Sequence, residues 1–119
     1  MEIKNAQISK TMLGREDHGI MTFMIYVYFD GCGCGVGGYA LDQYNRDLGK
    51  RVCSPIGLEA ISEVLKVVGV DTWEELEGKY IRVKDNGWGG QINEIGNLME
   101  DKWINLKEFF SIKTYEECK

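Results

Sequence analysis

Cys32-Gly33-Cys34 is the spacing in this chain best suited to chemistry. In an extended segment alternate residues share a face, so two thiols at i and i+2 point the same way and can reach one soft metal ion. Zinc takes four ligands in a tetrahedral shell and accepts thiolates readily. Cys53 is a third candidate donor, and the fourth place is open to His18, Asp17, Cys118 or water. The expected site is a structural zinc held by Cys32, Cys34, Cys53 and His18. The competing reading treats these cysteines as small buried apolar groups, since the doubled C-x-x-C of a zinc ribbon is missing. A geometric condition also applies. In a simple meander Cys32 and Cys34 sit at one end of a hairpin and His18 at the other, so the segment 43–53 would have to carry Cys53 back to the Cys32 end.

Other chemistries find less support. A single histidine excludes the zincin motif and any multi-histidine centre. A thiol enzyme would need one cysteine beside His18, and no oxyanion-hole signature accompanies it. Gly33-Cys-Gly35-Val-Gly37-Gly38 spells G-x-G-x-x-G, but strand-like Tyr39-Ala-Leu-Asp42 follows where a dinucleotide fold opens a helix. Gly49-Lys50 lacks the rest of a phosphate loop. The chain is therefore read as a binding protein rather than an enzyme.

Charge points the same way. Lys plus Arg number 14 and Asp plus Glu 19, a net charge of −5, which disfavours direct nucleic-acid binding and favours a basic partner. Acidic residues concentrate at Glu16-Asp17, at Glu100-Asp101, at Glu116-Glu117 and in the segment Asp71–Gly78. Glu74, Glu75 and Glu77 are the candidate partner contacts, together with Trp88 in a glycine-rich turn, where an exposed indole would be a hot spot. Trp73 and Trp103 are expected in the core or at its rim.

The elements that must position these residues follow from patterning. At 119 residues with 44% apolar content, one domain spanning 1–119 is expected, with 111–119 a frayed tail. Residues 2–12 and 20–30 read as strands, the second apolar on both faces and so expected to be covered on both. A hairpin leads to a third strand over 32–42. There Gly31, Gly33, Gly35 and Gly37 would form a bare strip open to close approach, opposite Cys32, Cys34 and Val36. Residues 43–53 are polar and read as a long loop. Ser54-Pro55 starts a helix with Leu58, Ile61, Val64, Leu65 and Val68 as its apolar side, and Gly69 ends it. A helical turn over 73–76, a strand at 80–83, a hairpin at Asn86-Gly87 and a strand within 91–98 complete the pattern. The expected fold is α+β: an antiparallel sheet of about five strands in the order β-β-β-α-β-β, with one main helix on one face. Met1 leads into polar sequence and no apolar run reaches membrane-spanning length, so a cytoplasmic protein with no membrane role is expected.

Four stretches carry a resemblance. They are Thr11-Met-Leu-Gly-Arg-Glu-Asp-His-Gly19, Gly35-Val-Gly-Gly-Tyr-Ala-Leu-Asp42, Gly57-Leu-Glu-Ala-Ile61 with Val68–Gly78, and Ile95-Gly-Asn-Leu-Met-Glu-Asp-Lys-Trp103. Together they resemble a family of small phage and prophage proteins, and the chain is similar to a metal-containing anti-CRISPR inhibitor of the type II CRISPR nuclease. The resemblance implies a stoichiometric inhibitor acting in the cytoplasm of a bacterial host, by blocking target DNA loading or activation. The alternatives are a zinc-stabilised phage structural or adaptor protein, and a small thiol enzyme.

Overall fold

The computed structural model describes residues 2–16, 18–85 and 91–117, with side chains placed as far as Ser111. The chain runs β1 (Glu2–Glu16), β2 (Ile20–Phe29), β3 (Cys32–Ala40), β4 (Asp42–Asn45), β5 (Lys50–Cys53), α1 (Pro55–Val68), a 3₁₀ turn (Trp73–Leu76), β6 (Tyr80–Asp85), β7 (Glu94–Gly96), β8 (Trp103–Asn105) and α2 (Leu106–Glu117). Six strands form one antiparallel sheet in the order β3-β2-β1-β6-β7-β8, and β4 pairs with β5 separately. The architecture is the expected α+β domain, with six strands in the main sheet instead of about five. No helix among the described residues is long and apolar enough to cross a membrane.

β2 sets the two faces. Phe23, Ile25, Val27 and Phe29 alternate into the core, joined by Ala6 and Ile8 of β1, Val36 of β3, and Ile81 and Val83 of β6. This face receives α1, the 3₁₀ turn and α2. The opposite face was expected to be covered as well, and the structure corrects this: Tyr28 is 54% exposed and Tyr80 of β6 58%. Met24 and Tyr26 lie against the glycine strip instead, since a Cβ on Gly35 would stand 2.6 Å from the Met24 methyl and 3.8 Å from the Tyr26 ring. The strip thus admits side chains of its own neighbouring strand. Gly31 leaves it, because Asp30 and Gly31 both have positive φ in the two-residue turn between β2 and β3.

Helix α1 starts and stops where its caps require. Ser54 Oγ accepts the Gly57 N–H, Pro55 opens the helix, and Gly69 closes it in the left-handed region with its N–H donating to the Leu65 carbonyl. Its buried stripe differs from the expected one. Ile56, Ala60, Ile61, Val64 and Val67 point inward, Leu65 and Val68 are partly buried, and Leu58 is 75% exposed. Gly57 explains the rotation. A Cβ there would lie 2.5 Å from the Leu41 carbonyl oxygen, so the bare backbone seats the first turn directly on Leu41. Asn97 fixes the other end, donating from Nδ2 to the Val67 and Val68 carbonyls.

Two further expectations change. Residues 43–53 form the β4–β5 hairpin, not a loop, because Asn45 closes the turn: its side chain accepts the Leu48 N–H and its carbonyl the Gly49 N–H. The strand expected within 91–98 shrinks to Glu94–Gly96, since Asn97 leaves the ladder to cap α1 and gather the Met99 and Glu100 amides. The C-terminal segment forms α2, with Phe110 stacked 4.8 Å from Tyr39 and Leu106 fully buried. Asn86-Gly87 lies outside the described residues.

Gly57→Ala tests the seating of α1. A methyl group forced against the Leu41 backbone costs about 1–3 kcal/mol, while the gain in helix propensity is about 1 kcal/mol. A net loss of up to about 2 kcal/mol in urea-unfolding free energy is expected, with far-UV dichroism unchanged.

Candidate functional site

The candidate thiols fall at two ends of the sheet. Cys32 pairs with Phe29 and Cys34 with Val27, beside the two-residue turn, and both lie on the core-facing side of β3. Cys32 is exposed, whereas Cys34 is half-buried and packs against the core. His18 sits at the start of β2 with φ of 61°, and Gly19 beside it also has positive φ. Cys53 closes β5 opposite Asp42, and the Asp42 carboxylate accepts the Met21 N–H at 3.1 Å. The β4–β5 hairpin therefore holds Cys53 near the start of β2, about 25 Å of strand from Cys32. Cys32 and Cys53 are exposed, so the buried-thiol reading does not describe them. Asp17, Cys118 and Trp88 lie outside the described residues.

The donor chemistry fits zinc in part. Cys32 and Cys34 present two thiols on one face, half of a tetrahedral shell. Among the described residues no group of three or more His, Cys, Asp or Glu stands close enough to share an ion. Asp30, next to the pair, is engaged in an ion pair with Lys4.

The hairpin that carries Cys53 is locked by charge. Arg51 donates to the Asp42 carboxylate at 2.7 Å and to the Asp42 carbonyl at 3.3 Å. This bond, aided by the Met21 amide, holds the Asp42 carboxyl below the ordinary aspartate value against the opposing effect of burial.

The acidic segment forms an exposed ledge on the helical side. Leu76 is fully buried and Trp73 meets Phe23 edge-on with ring centroids 6.0 Å apart, so the 3₁₀ turn is anchored from below. Gly78 N–H donates to the Ile8 carbonyl at 2.8 Å, tying the turn to β1. Glu74, Glu75 and Glu77 face solvent. Glu75 accepts the Thr72 hydroxyl at 2.9 Å, and none of the three has an ion-pair partner among the described residues.

Two concavities escaped the sequence reading. On the uncovered sheet face, Glu16, Ile20, Thr22, Met24, Gly38 and Ala40 line a hollow of about 390 Å³, in which Glu16 is the one ionisable side chain among the described residues. On the helical side, Leu13, Met21, Leu41, Leu58 and Ile61 line an apolar groove of about 230 Å³ with Cys53 at its wall. Leu58, placed on the buried stripe by periodicity, was the one available signal for the groove. Neither lining pairs a nucleophile with a base.

No protein-family model matches this chain, and comparison with curated proteins and with solved structures gives no match.

The Asp42–Arg51 lock has a pH signature. A carboxyl whose folded pKa is lowered adds stability above its unfolded value, near 3.8, and loses it as pH falls through the lowered folded value. The urea-midpoint difference between wild type and Asp42→Asn should therefore hold steady from pH 7 to about 5 and shrink below about 4.

Proposed function

We propose that this protein is a phage-encoded inhibitor that works by stoichiometric binding, and that it meets a basic protein surface through the ledge carrying Glu74, Glu75 and Glu77. The observation that carries the reading is the combination of exposure, fixed backbone and absent counter-charge at these three carboxylates among the described residues. A preorganised acidic surface loses little conformational freedom on docking and speeds encounter with a cationic partner.

The resemblance to phage proteins names the partner class: a guide-loaded type II CRISPR nuclease in the bacterial host cytoplasm. Such a nuclease holds its guide–target duplex in a positively charged channel. An acidic module lodged there competes with target DNA or blocks the domain motion that DNA loading requires. No turnover is involved, and the protein itself contacts no nucleic acid. In this reading zinc is structural and Cys32 and Cys34 belong to its shell. Trp88, which follows β6 in the sequence, is a further proposed contact.

Co-elution with a guide-loaded type II nuclease, followed by target DNA binding on the collected complex, tests the reading. The expected result is a stable complex that no longer takes up DNA. Replacing Glu74, Glu75 and Glu77 together by Lys should slow association by about tenfold or more and remove most of its salt dependence. Unchanged inhibition by that variant eliminates the ledge, and absence of any complex with several such nucleases eliminates the partner.

A further inference from the structure

We infer that Cys32 and Cys34 form half of a zinc site that is completed by the same two cysteines of a second copy of this chain. Zinc prefers four ligands, and β3 supplies two thiols on one face. The chain's other described donors stand apart. Cys53 and His18 are held at the opposite end of β2, and Asp30 is committed to Lys4. Intramolecular completion by those groups would require dismantling the β4–β5 hairpin or the β2–β3 ladder.

The position of the pair favours a second chain. β3 is the terminal strand of the sheet, and Cys32 is its first residue after the Asp30-Gly31 turn. The two thiols thus lie at a hairpin tip on a sheet edge, where another copy can approach. Cys32 is exposed and Cys34 is half-buried against the core, while on the opposite face a Cβ on Gly33 would meet only the Val27 carbonyl oxygen, at 3.9 Å, so the strand is uncrowded at this point. A two-fold axis passing near Gly33 sets Cys32 of one copy opposite Cys34 of the other. In an antiparallel arrangement such opposed residues have Cβ atoms about 4.5–5.5 Å apart on the same face, within reach of one ion. The charge of −5 per chain opposes association, which makes the dimer dependent on zinc.

The test is titration of the reduced protein with zinc ions, reading metal content and molar mass by light scattering. The expected result is one zinc per two chains, a doubling of mass, and reversal by a chelator. Cobalt in place of zinc should give the visible spectrum of tetrahedral thiolate coordination. Cys32→Ser, at an exposed position, should keep its far-UV dichroism and remain monomeric with zinc present, and Cys34→Ser should do the same if its fold is intact. Cys53→Ser and His18→Ala should dimerise like wild type. One zinc per single chain, a dimer that persists without metal, loss of dimerisation in Cys53→Ser, or no zinc uptake at micromolar concentrations would each overturn the inference. The nuclease experiment above is independent of these outcomes.

Discussion

The ring of Phe23 is the contact on which the sheet, the 3₁₀ turn and α2 converge. It is fully buried in the middle of β2, edge-on to Trp73 and 6.4 Å from the Phe110 ring. Three elements far apart in sequence meet on one side chain: β2, the 3₁₀ turn and α2. The same residue dictates the glycines of β3. A Cβ on Gly37 would stand 2.9 Å from the Phe23 carbonyl oxygen and 3.0 Å from its ring, and Gly37 and Gly38 both take positive φ as the ladder slips between Thr22 and Met24. The bulge lets β3 bend so that Tyr39 reaches over to stack on Phe110 and donate to Asn93 at 3.4 Å. Large-to-small replacement of such a core ring costs about 3–5 kcal/mol, a large share of the stability of a domain this size.

Polar tethers set what the apolar contacts leave free. Asn97 joins the end of α1 to the turn before β8 with both ends of its amide, while its carbonyl accepts from Arg82 Nε at 2.7 Å. Arg82 also lies over the Trp103 ring at 4.7 Å, and that ring needs Gly96 beneath it, where a Cβ would come within 2.5 Å. Asp42 does the equivalent work at the far corner, joining β2 to the β4–β5 hairpin. These contacts decide where Cys53 goes. Apolar burial alone would allow the hairpin to swing, and a charge-assisted bond does not.

The elements with strong local signals were legible in the sequence. Ser54-Pro55 and Gly69 mark α1 because capping is decided within one turn of chain, whereas the turn at Asp30-Gly31 was read into the flanking strands although both residues take positive φ. The rotation of α1 was not legible. Leu58, Leu65 and Val68 are as apolar as Ile56, Ala60 and Val67, and the choice between stripes rests on Gly57 meeting Leu41, a contact across sixteen residues of chain. The β4–β5 hairpin was missed because its residues are polar, and its turn is made by the Asn45 side chain rather than by an Asn-Gly pair. Of the candidate site, the shared face of Cys32 and Cys34 followed from strand period alone. The distance to Cys53 depended on the tertiary lock at Asp42.

The charge distribution repays closer reading than the net value of −5. Many of the cations are occupied within the molecule. Lys10 lies over Tyr26, Arg82 and Lys84 over Trp103, and Lys4, Arg51, Lys66, Lys84 and Lys102 pair with carboxylates. The carboxylates of the 3₁₀ turn have no such partner among the described residues. An exposed ion pair contributes little stability, about 0–1 kcal/mol, yet it cancels field at a distance. Glu74, Glu75 and Glu77 are thus among the carboxylates whose field no paired cation cancels among the described residues. Their exposure costs the fold little, because Leu76 and Trp73 supply the anchoring from below. In the proposed function such a surface orients a cationic partner before contact, and the anchoring of Leu76 and Trp73 means that no core residue has to move.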